Sequence, residues 1–230
     1  MLRKINKIRS FAALIMCLSS ANLLAQAIVN IEELRREGEI GFFTNVSAGL
    51  DASRGNRDRD YYKLRIRFDN NSEDAESFLI MQQTERKSND IVMDKSKFMH
   101  GRYIFIGEDA IHWEMFAQYS ENPFRNYKKR SVLGGGLRFE LSKSGRLGAG
   151  LLNEEETDLT GKSKTTERLG FYFHTDFDIA ENISFDPTIY FQPSIENFEN
   201  DYKASMILAL DFKVNENFKI RLQYSSFHDS

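Results

Sequence analysis

The sequence predicts an all-β chain, an antiparallel up-and-down transmembrane β-barrel of about twelve strands, eleven of them visible in its 230 residues. Three observations carry that expectation. From residue 39 onward apolar and polar side chains alternate with a period of two. Most strand segments reach the length of about 9–11 residues that a tilted transmembrane strand needs. Long polar connections alternate with tight ones, the pattern of a barrel with loops on one side of a membrane and turns on the other. A mean hydropathy of −0.49 excludes a bundle of membrane-spanning helices. It does not exclude a barrel, where every second residue meets lipid.

The chain opens with a leader. Arg3, Lys4, Lys7 and Arg9 form a basic start, and Phe11 to Leu18 is apolar but too short to span a bilayer. Ala25-Gln26-Ala27 then offers the small-x-small site that a signal peptidase needs. Residues 1–27 therefore read as a signal peptide exporting the chain to a Gram-negative envelope; an amphipathic or buried N-terminal helix is the bland alternative. Cys17, the chain's one cysteine, falls inside the leader, and Met16 is too bulky for the residue preceding a lipidated Cys. Removing the leader takes four of the 31 basic residues and none of the 34 acidic ones, so a formal charge of −3 becomes −7. The mature chain then has no disulfide to stabilise it and no electrostatic reason to bind nucleic acid. Residues 28–38 follow as a short periplasmic segment, and residues 39–230 form the barrel.

Eleven strands are expected, at 40–51, 60–69, 77–84, 97–106, 110–120, 127–141, 145–153, 166–178, 183–192, 202–214 and 218–227. In the second, Tyr62, Leu64, Ile66 and Phe68 face away from Lys63, Arg65 and Arg67. In the fifth, Ile111, Trp113, Met115, Ala117 and Tyr119 oppose His112, Glu114, Phe116 and Gln118. The eighth sets Leu169, Phe171, Phe173 and Phe177 against Arg168, Tyr172, His174 and Asp176. In the tenth Ala204, Met206, Leu208, Leu210 and Phe212 share a face, and in the last Phe218, Ile220, Leu222 and Tyr224 do.

The connections expected to be long are Asp51–Arg59, Glu85–Ser96, Glu121–Asn126, Glu154–Thr165 and Pro193–Asp201. Those expected to be tight are Gly107–Asp109, Ser142–Ser144, Ile179–Asn182 and Asn215–Asn217, with Asn70–Glu76 as the exception. Aromatic side chains on the apolar face fall at two heights. Phe68, Phe105, Phe139, Phe177, Phe212 and Phe218 lie at turn ends, and Tyr62, Tyr119, Tyr127, Phe191, Tyr202 and Tyr224 at loop ends, as interfacial girdles would.

The other face is the candidate site. Arg65, Arg67, His100, Arg102, His112, Glu114, Arg130, Arg138, Glu140, Arg146, Arg168, His174, Asp176, Asp211 and Arg221 are expected to face the lumen, with Lys63, Asp186, Lys203 and Lys219. In a small barrel, ion pairs filling a narrow lumen are the ordinary reading of such a face; a polar channel or binding cavity is the functional one. Three-residue turns would set Arg102 opposite Glu114, Glu140 opposite Arg146 and Asp211 opposite Arg221, each an opposite-charge cross-strand pair.

Catalysis is not expected. The strand histidines His100, His112 and His174 point inward and His228 is expected beyond the last strand, whereas a lipid-modifying barrel needs a nucleophile and base on the lipid face. A metal site from His100, His112 and Glu114 is weaker than satisfied lumen histidines, because the spacing is not characteristic of any metal. Gly134, Gly135, Gly136, Gly148 and Gly150 lack the strand-to-helix context of a phosphate loop and suit close strand packing instead. Glu154, Glu155, Glu156 and Asp158 are expected at a solvated loop tip. No cofactor is expected.

Asn30-Ile31-Glu32, Leu34-Arg35, Arg102-Tyr103, Trp113 to Tyr119, Asn122-x-Phe124-Arg125, Arg130 and Gly134-x-Gly136-Leu137-Arg138 form a scattered pattern over most of residues 30–227. On these residues the chain resembles a family of uncharacterised bacterial proteins labelled salt-induced outer-membrane protein. The resemblance implies an outer-membrane β-barrel and brings no activity and no catalytic residues. It also implies one further strand ending on an aromatic residue, so the chain is expected to be one strand short at Ser230; a strand miscounted around Glu76–Lys97 is the competing explanation. The expected partners are outer-membrane lipid, the barrel-assembly machinery during insertion, and small solutes or ions. A narrow pore or small-solute binding barrel is the functional expectation. A structural or salt-stress-related envelope protein with a plugged lumen is the alternative, ahead of a lipid-modifying barrel enzyme and a soluble exported β-sandwich.

Overall fold

The computed structural model describes residues 39–107, 109–124, 127–142 and 144–230; the expected signal peptide (1–27) and periplasmic segment (28–38) lie outside them. The described chain forms one antiparallel sheet. Its strands are β1 (Gly41–Ser53), β2 (Arg59–Asn71), β3 (Ala75–Ser88), β4 (Ile91–Phe105), β5 (Ile111–Glu121) and β6 (Tyr127–Glu140). They continue as β7 (Arg146–Asp158), β8 (Ser163–His174), β9 (Phe177–Ala180), β10 (Ile183–Pro193), β11 (Tyr202–Asn215) and β12 (Phe218–Asp229). Each strand pairs with the next in chain order, the up-and-down arrangement the period of two predicts, with β9 lying beside β10 off the main path. A soluble sandwich, which needs two packed sheets, is thereby replaced by a single continuous one.

The twelve strand segments among the described residues occupy eleven positions. His174 pairs with Thr188 and Phe177 with Phe185, so β8 and β9 keep one register against β10 and are two lengths of the same strand, interrupted at Thr175 and Asp176. The predicted strand 166–178 is therefore real but broken. Asp176, expected to face the lumen, instead lies in the break, exposed, where its carbonyl accepts a hydrogen bond from the Ser144 hydroxyl over 2.6 Å.

Two expected loops are strand. Glu85–Ser96 is the tip of a β-hairpin whose turn is Asn89-Asp90, with φ of 48° and 61°. A two-residue hairpin turn needs two consecutive positive φ angles, and Asn and Asp tolerate them best after Gly. Cross-strand neighbours Glu85 and Lys95, and Arg86 and Asp94, let these polar residues extend the ladder. Likewise β7 runs through Glu154, Glu155 and Glu156 to Asp158, leaving 159–162 as the connection. Conversely, the expected exception at Asn70–Glu76 is a tight turn at 72–74. The alternation of long and short connections is thus weaker than expected, with the long connection 194–201 on one side and tight ones on both.

The sheet curls strongly about its polar face. The Arg102 guanidinium on β4 lies 5.8 Å from the Tyr172 ring centre on β8. Four strand spacings in a flat sheet would hold these strands about 19 Å apart. The inner, concave face carries the charged residues. The outer face exposes Phe42, Leu50, Trp113, Met115, Leu133, Leu151 and Leu222, each more than half exposed. A continuous apolar surface of this extent is a lipid-facing wall, not the surface of a soluble monomer. Tyr127 departs from the expected girdle. A register shift between Tyr127 and Lys129 turns its ring inward, where it is buried.

Close strand approach on the inner face depends on glycine. A Cβ at Gly148 would overlap the Tyr172 ring, and one at Gly134 would come within 2.6 Å of the Phe116 ring. These positions are empty so that two aromatic rings can lie flat on the wall.

Candidate functional site

Alternation places the inward residues, and the curl brings those of distant strands together. The concave face divides into a packed part, lined by β3 to β11, and an open part, lined by β12, β1 and β2.

In the packed part the side chains fill the interior. Ile80, Ile104, Arg138, His100 and Thr188 are all at most 1% exposed. At mid-height Arg102 and Glu114 form an ion pair at 3.2 Å, and the Tyr172 hydroxyl donates to the same Glu114 oxygen over 3.1 Å. Arg102 also lies 5.1 Å from the Phe116 ring centre. His100 stacks between the rings of Phe78 and Phe116, at 5.8 and 5.7 Å, and its Nδ1 is 3.3 Å from Gln118 Oε1.

The turn end is polar. His112 Nδ1 accepts the Gly107 N–H over 3.0 Å, tying the turn after β4, and Glu140 Oε1 lies 3.7 Å from His112 Nε2 and 3.6 Å from Arg138 Nε. His100 and His112 are thus committed to different neighbours and do not converge with Glu114 as a metal site would require. His174 Nδ1 is 2.9 Å from the Thr188 hydroxyl and 3.6 Å from Asp186, and Arg146 faces His174 in register. Arg221 donates to Asp211 over 3.0 Å and to Asp186 over 3.3 Å.

The expected cross-strand pairs fare differently. Asp211 and Arg221 are opposite in register, as are Glu140 and Arg146. Arg102 instead faces Phe116, because the turn spans 106–110 rather than three residues; its guanidinium reaches Glu114 on the diagonal.

At the loop end an unexpected hub appears. Glu154, placed by sequence at a solvated tip, is buried on β7 and binds three cations from three other strands. Arg130 Nε donates to it over 2.9 Å, Arg168 Nε over 2.8 Å, and Lys203 Nζ lies 2.7 Å away. Lys203 also meets Glu156 at 2.7 Å and Asp229 at 3.4 Å. Arg168 meets Asp201 at 2.8 Å, where the connection 194–201 returns to the sheet. Burial alone would raise the Asp201 carboxyl; hydrogen bonds from Lys164 and Arg168 outweigh it and hold the pKa below the ordinary aspartate value. Above the hub lies a cavity of about 390 Å³, lined by Glu156, Asp158, Lys162, Lys164, Arg168 and Lys203 among others. Its buried charges neutralise one another, so it is a charged cup without a spare buried cation. The signal for Glu154 was its parity, which matches that of Arg146 on the same strand.

The open part is different in kind. Inward-facing Asn45 and Ser47 on β1, and Lys219, Arg221, Gln223 and Ser225 on β12, are exposed, and Lys63, Arg65 and Arg67 on β2 are half-buried. Arg67 is chelated by Asp69, its Nε donating over 2.7 Å. Among the described residues β1 and β12 are the two ends of the strand order.

A family model described as "Protein of unknown function, DUF481" matches residues 46–230. No curated protein matches the chain. Among solved structures, the one described as "NanC porin structure in rhombohedral crystal form" aligns over 77% of this chain and 87% of its own, with 12% sequence identity and a TM-score of 0.43.

Proposed function

The chain belongs to the DUF481 family, whose function is unknown, and we propose that it is an outer-membrane barrel with a narrow solvated path running beside a plugged lumen. The contrast between the two parts of the inner face carries this reading. Arg138 and Ile80 are completely buried, whereas inward-facing Asn45, Ser47, Gln223 and Ser225 remain exposed. An ion or small solute has no room among the packed side chains, but a polar, hydrated strip along β12, β1 and β2 offers it a route. The apolar outer face supports residence in lipid, and export through a signal peptide at 1–27 completes the route to the outer membrane. Insertion by the barrel-assembly machinery follows from that location. No catalysis is assigned to it: inward-facing His100, His112 and His174 hold neighbouring side chains, and His228, which shares the outer face with Ala204, stacks on the Tyr202 ring at 4.5 Å.

Planar-bilayer recording of the purified full chain tests this. Small, steady conductance steps are the expected result. A silent bilayer with protein shown to be inserted would favour the second reading, a structural or salt-stress-related envelope protein. That reading has its own support in the ion pairs around Glu154 and Glu114, which fill the packed part without leaving a passage.

A further inference from the structure

We infer that the solvated strip selects small anions over cations, an inference that rests on the reading of this strip as a path. The charge accounting separates it from the packed part. There the inward cations Arg102, Arg130, Arg138, Arg168 and Lys203 each have a carboxylate within 4 Å.

On the strip Arg67 and Arg221 are paired in the same way, but among the described residues Lys63, Arg65, Lys213 and Lys219 have no carboxylate at that distance. Arg65 lies mid-strand on β2 between Ser47 on β1 and Gln82 on β3, and Lys63 between Gly49 and Thr84, so both neighbours of each are neutral. Arg65 Nε is buried without a hydrogen-bond partner among the described residues. At the turn end Lys213 on β11 faces Lys219 on β12 in register, both exposed. Like charges set directly opposite destabilise a sheet, and water or a passing anion relieves the repulsion.

The strip's acids are committed or distant. Asp69 holds Arg67, and Asp211 and Asp186 hold Arg221. Glu76, at the turn end of β3, has a contact of its own. Asp51, opposite Tyr61, is diagonal to both Lys63 and Arg59, so one carboxylate faces two cations there. What remains is a column of positive potential from Lys213 and Lys219 to Arg65 and Lys63. Low-dielectric walls focus that potential along the path, raising the local concentration of anions. Any small anion shares this chemistry, and chloride is the probe.

Two measurements test it on the full chain. In bilayers under a potassium chloride gradient, the reversal potential should lie on the chloride side, and the double variant Lys63→Gln/Arg65→Gln should move it toward zero. Conductance without anion preference, or a preference unchanged in the double variant, overturns the inference while leaving the path intact. A silent bilayer overturns the path itself. The second measurement needs no current. The chain's one cysteine, Cys17, lies in the expected leader, so in the exported chain Ser47→Cys, opposite Arg65, supplies the reactive thiol. An anionic methanethiosulfonate should modify it about tenfold faster than a cationic one of similar size, the order expected for steering by local charge. The ratio should fall to about one in the Lys63→Gln/Arg65→Gln background. Equal rates in the unsubstituted background overturn the inference whether or not the protein conducts.

Discussion

The hydroxyl of Tyr172 on β8 donates to the carboxylate of Glu114 on β5, three strand positions away, over 3.1 Å. This contact spans the concave face rather than following a ladder, and it fixes how tightly the wall curls. Glu114 also neutralises Arg102. Glu114→Gln should therefore destabilise by about 3–5 kcal/mol, the cost of stranding a buried charge, and Tyr172→Phe by about 1–2 kcal/mol, the scale of a hydrogen bond to a charged group. Urea unfolding in detergent micelles measures both; similar losses for the two variants would contradict the assignment.

Glu154 should matter more than its place in a run of three glutamates suggests. Glu154→Gln leaves Arg130, Arg168 and Lys203 around a neutral amide, at a cost of about 3–5 kcal/mol. Lys97→Gln breaks the half-exposed pair with Glu121 and should cost less than about 1 kcal/mol. Heat-modifiable gel mobility of the two variants gives the ranking directly.

Gly148→Ala drives a methyl group into the Tyr172 ring and should cost about 1–3 kcal/mol through overpacking. Gly148→Ala combined with Tyr172→Ala removes the clash. If the pair is as close as described, the double variant loses less than the sum of the two single losses in the same unfolding assay.

Met115 faces outward at mid-strand on β5 and Gln118 faces inward three residues on. Met115→Arg should reduce folding into lipid vesicles by about 2–4 kcal/mol, the cost of a basic residue near the bilayer midplane. Gln118→Arg should be tolerated far better. Equal effects would place the membrane on neither face.

The connection 194–201 should loosen in acid. The Asp201 carboxyl has a pKa held below its ordinary value in the folded state. Its contribution to stability is complete above the unfolded aspartate value of about 3.9 and is lost as pH falls through the lower folded one. Limited proteolysis of the folded protein should cut this connection faster below about pH 3 than at pH 7, and Asp201→Asn should remove that difference.

Most of the wall was legible because lipid outside and charge inside impose opposite demands on adjacent residues. Trp113 and Glu114 lie side by side in sequence and on opposite faces in space. Registers were less legible wherever a turn or bulge changed the count. The connection 106–110 moved Arg102 from Glu114 to Phe116, and the shift beside Tyr127 turned its ring inward. The Glu154 hub was hidden for another reason. A glutamate run reads as a solvated tip, and its compensating cations come from β6, β8 and β11, far apart in sequence. Asn89-Asp90 carried its own signal, a residue pair that accepts positive φ, which the surrounding polarity masked.

The break at Thr175 and Asp176 has a consequence for strand direction. Because β9 only prolongs β8, eleven strand positions alternate up and down, and β1 and β12 run the same way. Every ladder among the described residues is antiparallel. A seam made directly between β1 and β12 is then parallel, with slanted bonds that hold less firmly per residue. Among the described residues no ladder joins β1 to β12, so each keeps one unpaired edge, and both edges lie beside the hydrated strip rather than the packed interior. Amide exchange should open there first, well before the ladders around Gly136 and Gly150.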